Sequence, residues 1–343
     1  MKYFQSINNN DHCYVIAEAG LNHNGSIDIA KKLIEVAVSS GADAVKFQKR
    51  TIDNLAISKE LKKPDTRFPE FGKTYGEIRN FLEFNKDQYL ELYDYSKSKE
   101  IDFIVTAFDE NSASLLQEID ISSIKLASHS LTNLKLIEFC SKLNKPIILS
   151  TGMCDLEDID NAVEILKKSD SDFALLHCVS SYPTKYEDSN LNMIEYLSNR
   201  YKVTTGYSGH EIGYLPTIVA VSKGAKIIER HYTLDNKMIG FDHKISLEPS
   251  ELKDMIRNIR EVEKMHGSTN KSISQSELIT LKKYHVSAVS KIQIEINQIL
   301  DEKMIEYKNP GTGISPKNVY KIIGKKSKDR IQKDTILEEN MFC

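Results

Sequence analysis

Short apolar runs rich in β-branched residues recur along the chain, each followed by a longer stretch in which apolar residues return every three or four positions. The runs are 14–17, 44–47, 103–106, 121–126, 146–149, 173–176, 202–205 and 226–228. Between them the helical period is clearest at 27–39, which Gly41 terminates, and at 155–168 and 248–265, whose first turns are acidic. Strands without polar alternation are buried on both faces, and strands that alternate with helices pair in parallel. Eight such units, at spacings of about 20 to 30 residues, predict a closed (β/α)8 TIM barrel rather than an open sheet. The second unit is longer, which predicts a long loop.

The polar residues at the ends of these runs are the more informative feature. In order they are Glu18, Lys46 with Gln48, Thr106, Lys125 with Ser128, Ser150, His177 with Ser180, Ser208 with His210, and His231. In a barrel of this type the carboxyl ends of the strands converge on one mouth. A single polar cap means little, whereas cations, a carboxylate, hydroxyls and imidazoles gathered there predict a catalytic site.

From 267 to 283 the chain turns polar and reads as a linker or exposed helix between a barrel at 1–266 and a small domain at 284–343. In that domain 286–294 is strand-like, 309–313 (NPGTG) is a turn, and 314–324 reads as a short amphipathic helix. About 60 residues is marginal for an independent core, so docking or dimerisation is expected.

Composition narrows the function classes. The net charge of −3 is spread over 28% charged residues with no basic cluster, which argues against nucleic acid as a partner. No run approaches the roughly 20 apolar residues of a membrane span, and residues 1–10 carry no signal-peptide pattern. Five cysteines without CxxC spacing argue against a disulfide framework and fit a cytoplasmic protein.

Each candidate group also has a plainer reading. His210 and His231, at the ends of the last two strands with Glu211 and Glu229 beside them, could be unrelated histidines. As neighbours on adjacent barrel strands they make a divalent-metal pair. Lys46 and Lys125 could run their stems to water, but their flanking residues are apolar. With Thr106, Ser128, Ser150 and Ser208 they would form a cradle for phosphate and carboxylate. Glu18 is either a salt-bridge partner of Lys46 or an acid–base group. Cys178 reads as a packing residue.

Together the motifs resemble the sialic acid synthases, the N-acetylneuraminate, legionaminate and pseudaminate synthases, over essentially the whole chain. They are EAGLNHNG at 18–25, GADAVKFQ at 41–48, IKLAS at 124–128, LSTGM at 149–153 and SSYPT at 180–184. GYSGHE at 206–211, GAKIIERHYTLD at 224–235, DHKISLEP at 242–249 and NPGTGIS at 309–315 complete the set. The resemblance implies condensation of phosphoenolpyruvate with an amino-sugar aldehyde. It also implies an antifreeze-like (SAF) domain after the barrel, in a domain-swapped homodimer whose small domains cover the partner's site. By the same resemblance His210 and His231 match ligands of Mn2+, with Mg2+ or Co2+ as alternatives. Lys46, Thr106, Lys125, Ser128, Ser150, Ser180 and Ser208 fall where phosphoenolpyruvate is held. Gln48, Tyr182 and Asp242 fall on sugar-contacting positions, and Glu18 is the candidate to orient or deprotonate water.

Two departures fall on the sugar side. Relatives usually carry an acidic residue where this chain has Ser130, preceded by His129. They usually carry Arg where it has Asn309, and basic residues where it has His285 and Val286. The resemblance therefore implies the reaction type kept and the sugar changed or more weakly held. The competing readings are a Schiff-base aldolase using Lys46 or Lys125 and, remotely, a non-catalytic glycan-binding protein.

Overall fold

The computed structural model describes residues 3–9 and 12–343. The first two residues of the expected barrel domain, and residues 10 and 11, lie outside the described residues. The chain divides into two compact units that meet at Gly267 and Ser268.

In the first unit eight parallel strands close in sequence order. They are β1 (Tyr14–Gly20), β2 (Ala44–Lys49), β3 (Asp102–Ala107), β4 (Ile124–Leu126), β5 (Ile147–Ser150), β6 (Phe173–Cys178), β7 (Thr204–Gly209) and β8 (Ile227–His231). Several differ from the apolar runs. β4 loses residues 121–123, where Ser122 and Ser123 interrupt the β-branched pattern, and β7 runs on through Tyr207, Ser208 and Gly209. The polar residues expected after the strands thus lie largely within them.

The helices are set by local chemistry. Ile27–Ser40 starts on the Ser26 side chain, which accepts from the Ile29 amide, and stops at Gly41 in the left-handed region at φ 85°. Leu156–Lys168 opens with a capping box between Asp155 and Asp158, and Pro249–His266 with one between Glu248 and Glu251. The expected long loop after β2 holds three short helices, Ile52–Leu55, Ser58–Leu61 and Tyr75–Phe81.

Because side chains alternate along a strand, the barrel interior takes every second residue. Ile16, Ala44, Ile104, Ile148, Ala174, Leu176 and Ile227 fill its amino-terminal end with Phe4 and Ile7. These last two come from a helix, Tyr3–Asn9, that sequence patterning does not reveal. The backbone of Phe4 bonds to Asp172 Oδ2 and Thr204 Oγ1. Residues two steps further along the strands form the next layer, which is polar.

The second unit has its own core of Ala288, Ile294, Leu300, Ile305, Ile314, Ile322, Ile331, Leu337 and Phe342. Here β9 (Ser287–Ser290) pairs antiparallel with β10 (Ile305–Lys308). The expected strand at 286–294 is correspondingly shorter. Where an amphipathic helix was expected at 314–324 there is a 3-10 helix, Pro316–Lys321, confined between Pro316 at its first position and Gly324 at φ 80°. Within 267–283 the chain is not wholly a linker: Leu278–Tyr284 is helical, following a capping box of Ser274 and Glu277.

Candidate functional site

The polar layer opens into a cavity of about 290 Å³ at the carboxyl ends of the strands, lined by Glu18, Lys46, Gln48, Thr106, Lys125, Ser128, Ser150, Ser180, Tyr182, Ser208, His210, His231 and Asp242. Strand register assembles it. Glu18 pairs with Lys46 across β1–β2 and with His231 across β1–β8, Thr106 with Lys125 across β3–β4, and Cys178 with Ser208 across β6–β7.

Lys46 is the electrostatic hub. Its Nζ lies 2.8 Å from Glu18 Oε2 and 3.6 Å from Glu229 Oε2, and it donates to Thr106 Oγ1 at 2.9 Å. Burial works against its charge, but the Glu18 and Glu229 carboxylates outweigh it and hold the ammonium above its ordinary pKa. Lys125 donates to Ser150 Oγ at 2.6 Å and to the Leu126 carbonyl at 2.9 Å. Burial pulls its pKa down, and the attraction of Glu229, 4.0 Å away, only partly restores it. Burial would raise the Glu229 carboxyl, yet Lys125 and Lys46 bring it well below the usual range. Two ammonium groups, two carboxylates and a ring of hydroxyls, all on buried side chains, thus share one pocket in which each charge is strongly felt.

The two imidazoles sit side by side, ring centroids 5.5 Å apart, with the Tyr182 ring 4.2 Å from that of His210. Burial, with the charge of His231 adding to it, lowers the His210 pKa to about 3, so this ring is neutral at ordinary pH. Its Nδ1 faces the Val179 carbonyl at 3.1 Å, a contact that requires Nδ1–H and leaves a lone pair on Nε2. His231 Nδ1 is buried with no hydrogen-bond partner. Among the described residues no third His, Cys, Asp or Glu completes a cluster with them. Two adjacent imidazoles with uncommitted nitrogens fit a divalent cation whose other positions are open to water or substrate.

Behind the pair, Glu211 and Arg230 form a fully buried ion pair at 2.6 Å. Arg230 Nη2 also donates to the carbonyls of Glu211 and Gly213, and Tyr207 Oη to Glu211 Oε2. His210 precedes Glu211 and His231 follows Arg230, so this pair staples the two histidine-bearing segments together.

Three candidate residues are not among those that line the cavity. Ser130 is buried at the end of a short 3-10 turn, Ser128–Ser130, and does not line the cavity; His129 lines it instead. His177 faces out of the barrel, its Nε2 2.8 Å from the Ser189 carbonyl, because Leu176 and Cys178 on either side point inward. Asn309 is exposed in the second unit, beside Pro310. The Cys178 thiol, which lines the cavity, is pushed up by burial, as expected of a packing residue rather than a nucleophile. Arg50, Arg79, Phe108 and Phe241 line the mouth unanticipated.

Gly152, two residues after β5, packs against two of the cavity hydroxyls. A Cβ there would lie 2.4 Å from Ser180 Oγ and 2.9 Å from Ser128 Oγ, and the Gly152 amide donates to Ser128 Oγ at 2.9 Å. Gly152→Ala should displace both hydroxyls and raise KM for an anionic substrate by about tenfold, a loss of one to two hydrogen bonds. A KM within twofold of wild type in steady-state kinetics would count against these hydroxyls as ligands.

Comparisons with known proteins show which family the chain is similar to. The NeuB family model matches residues 33–271. The chain is 37% identical to human N-acetylneuraminate-9-phosphate synthase over 95% of its own length and 92% of that protein. It is 36% identical to N,N'-diacetyllegionaminic acid synthase of Legionella pneumophila, covering 95% and 93% of the two chains. Among solved structures, the N-acetylneuraminic acid synthetase of Leptospira borgpetersenii superposes with a TM-score of 0.72 at 35% identity, covering 80% of this chain and 91% of that one.

Proposed function

Because the chain belongs to the NeuB family, we propose that it condenses phosphoenolpyruvate with an N-acetylated amino sugar, giving a sialic-acid-like nonulosonic acid and phosphate. The observation that carries this reading is two buried lysines and a set of hydroxyls sharing one cavity with two imidazoles. An ammonium supplies only donors and a hydroxyl can rotate to donate, so Lys46, Lys125, Ser128, Ser150, Ser180 and Ser208 suit the carboxylate and phosphate of phosphoenolpyruvate. Fixing its C3 against the sugar aldehyde converts a bimolecular encounter into a positioned one. Gln48, Tyr182 and Asp242 would orient the sugar.

His210 and His231 would hold Mn2+, or Mg2+ or Co2+ in its stead, and the bound cation supplies Lewis-acid polarisation of the aldehyde oxygen. As C3 bonds to the aldehyde carbon, positive charge develops at C2 of phosphoenolpyruvate. The Glu18 and Glu229 carboxylates are the anionic groups available to stabilise it. Glu18 then takes a proton from the water that adds at C2, and the resulting tetrahedral centre expels phosphate by C–O cleavage. Phosphoenolpyruvate labelled with oxygen-18 at its bridging position should release the label in phosphate. Label retained in the sugar acid would sink the mechanism. Absence of phosphate release with every N-acetylated sugar tried, from folded and Mn2+-loaded protein, would sink the function.

The reading extends to the rest of the molecule. The second unit would be the antifreeze-like domain of a swapped homodimer, in which Asn309 reaches a partner's sugar site; Ile279, 81% exposed, and Tyr284, 60% exposed, are apolar surface available for association. Among the described residues no helix is long and apolar enough to cross a membrane, and all five cysteines are free. Both fit a cytoplasmic enzyme.

A further inference from the structure

Residues 22–25 (NHNG), in the turn that follows β1, do not line the cavity, but they touch both of the loops that supply its mouth. On one side is the long loop after β2. His23 stacks on Phe84 with ring centroids 4.2 Å apart. A Cβ at Gly25 would lie 2.5 Å from the Phe81 carbonyl, at the end of the helix that holds Arg79. On the other side is the loop after β8, which brings Phe241 and Asp242 to the cavity.

The contacts to the β8 loop are made by side chains. Asn24 Nδ2 donates to the Ile239 carbonyl at 2.9 Å, and Asn24 Oδ1 faces His243 Nε2 at 3.3 Å. Asn22 Nδ2 donates to Ser246 Oγ at 2.8 Å, and that hydroxyl donates to the Asp242 carbonyl at 2.7 Å. Gly240 permits the close approach, since a Cβ there would stand 2.6 Å from the His243 ring. These contacts also fix a tautomer. Asn24 spends its amide N–H on Ile239, so its oxygen can only accept, and His243 Nε2 carries the hydrogen. Burial lowers the His243 pKa against the pull of Asp242 and Asp235, which leaves the ring neutral. Its Nδ1 then accepts from the Thr233 hydroxyl at 2.7 Å, a shorter contact than the 3.2 Å from that hydroxyl to the Asp235 carbonyl.

Among the described residues, the hydrogen bonds of Asp242 run through its carbonyl, to Ser246 Oγ and the Ile245 amide. The loop backbone therefore decides where the carboxylate points. We propose that Asn22, Asn24 and His243 are positioning residues, a clamp that holds the β8 loop so that the Asp242 carboxylate faces the acceptor sugar. This rests on the synthase reading, in which Asp242 orients the sugar, and it gives the turn after β1 a part in the reaction without contact to substrate.

The variants are chosen to spare the fold. Asn24 stands at φ 49°, a conformation that glycine adopts freely, so Asn24→Gly removes the side chain without straining the turn. His243→Gln keeps an N–H near the place of Nε2, whereas His243→Asn reaches only that of Nδ1. The acceptor is whichever of N-acetylmannosamine, its 6-phosphate or a neutral diacetamido-trideoxyhexose wild type converts fastest with phosphoenolpyruvate and Mn2+, and the keto acid is quantified directly. Asn24→Gly and His243→Asn should each raise KM for that sugar about tenfold, with His243→Gln within about threefold of wild type and KM for phosphoenolpyruvate within about twofold throughout. Added to Asp242→Asn, Asn24→Gly should cost nothing further, because the clamp acts through that carboxylate. An unchanged sugar KM in Asn24→Gly, equal losses in the two His243 variants, a parallel rise in KM for phosphoenolpyruvate, or additive losses with Asp242→Asn would each overturn the clamp and leave the synthase reading standing. No product from any of the three sugars with wild type overturns the synthase reading and the clamp with it.

Discussion

Lys46→Met is expected to lower kcat/KM for phosphoenolpyruvate by about 10²- to 10³-fold, the usual consequence of removing one preorganised charge donor from a reacting centre. The same change should also destabilise the barrel. Lys46 is buried against Glu18 at 2.8 Å and Glu229 at 3.6 Å, so methionine takes the cation from two buried carboxylates, leaving Glu18 with the Gln48 amide and Glu229 with Lys125 at 4.0 Å and the Ser208 hydroxyl. Breaking a buried pair from one side costs about 3–5 kcal/mol. For a unit of this size that corresponds to a fall of roughly 6–20 °C in Tm. The two effects separate in the pair Lys46→Met with Glu18→Gln, which removes one of those carboxylate charges. Stability should partly return while turnover stays low, because the donor to substrate is still missing. Folded Lys46→Met protein with activity within tenfold of wild type would refute the assignment of Lys46 to the anion cradle.

That cradle was legible in the sequence to the extent that strand alternation makes it so. Lys46, Lys125 and Glu18 stand among apolar neighbours, and in a barrel the inward positions two residues apart share one face. Applied throughout, the same alternation would have carried two further results. It turns His177 outward, since Leu176 packs inside the barrel. It turns Glu229 inward, two residues before His231, where the structure has it beside both lysines. The β7 boundary was hidden because Gly206–Gly209 lacks β-branched residues; Gly206 is there because a Cβ would lie 2.1 Å from the Ile227 carbonyl. Arg79 lies far from any strand end, and only the tertiary packing of its helix against Phe241 brings it to the mouth. The helix Tyr3–Asn9 is likewise a tertiary matter, since its seven residues are too short for periodicity to register.

The ion pair between Glu211 and Arg230 yields the second large effect. Both side chains are essentially excluded from water, and Arg230 satisfies the backbone carbonyls of Glu211 and Gly213 at 2.8 and 2.7 Å. Arg230→Met leaves the Glu211 carboxylate buried with only the Tyr207 and Thr217 hydroxyls, and should cost about 3–5 kcal/mol in chemical denaturation. Replacing both members with apolar residues, Arg230→Met with Glu211→Leu, should recover most of that loss, because a well-packed apolar pair is often as stable as the ion pair it replaces. Activity should not recover with it. The segment after β7 would still lack the donors that fix its carbonyls, and His210 at its start would lose its alignment with His231. Weakening such an outer support of candidate metal ligands typically costs 10- to 100-fold in metal affinity or activity. Titration of Mn2+ into the double variant, followed by calorimetry, reads that loss independently of turnover. A double variant that regains stability, metal affinity and activity together would mean that the pair serves packing alone, and that β7 and β8 hold the two imidazoles without it.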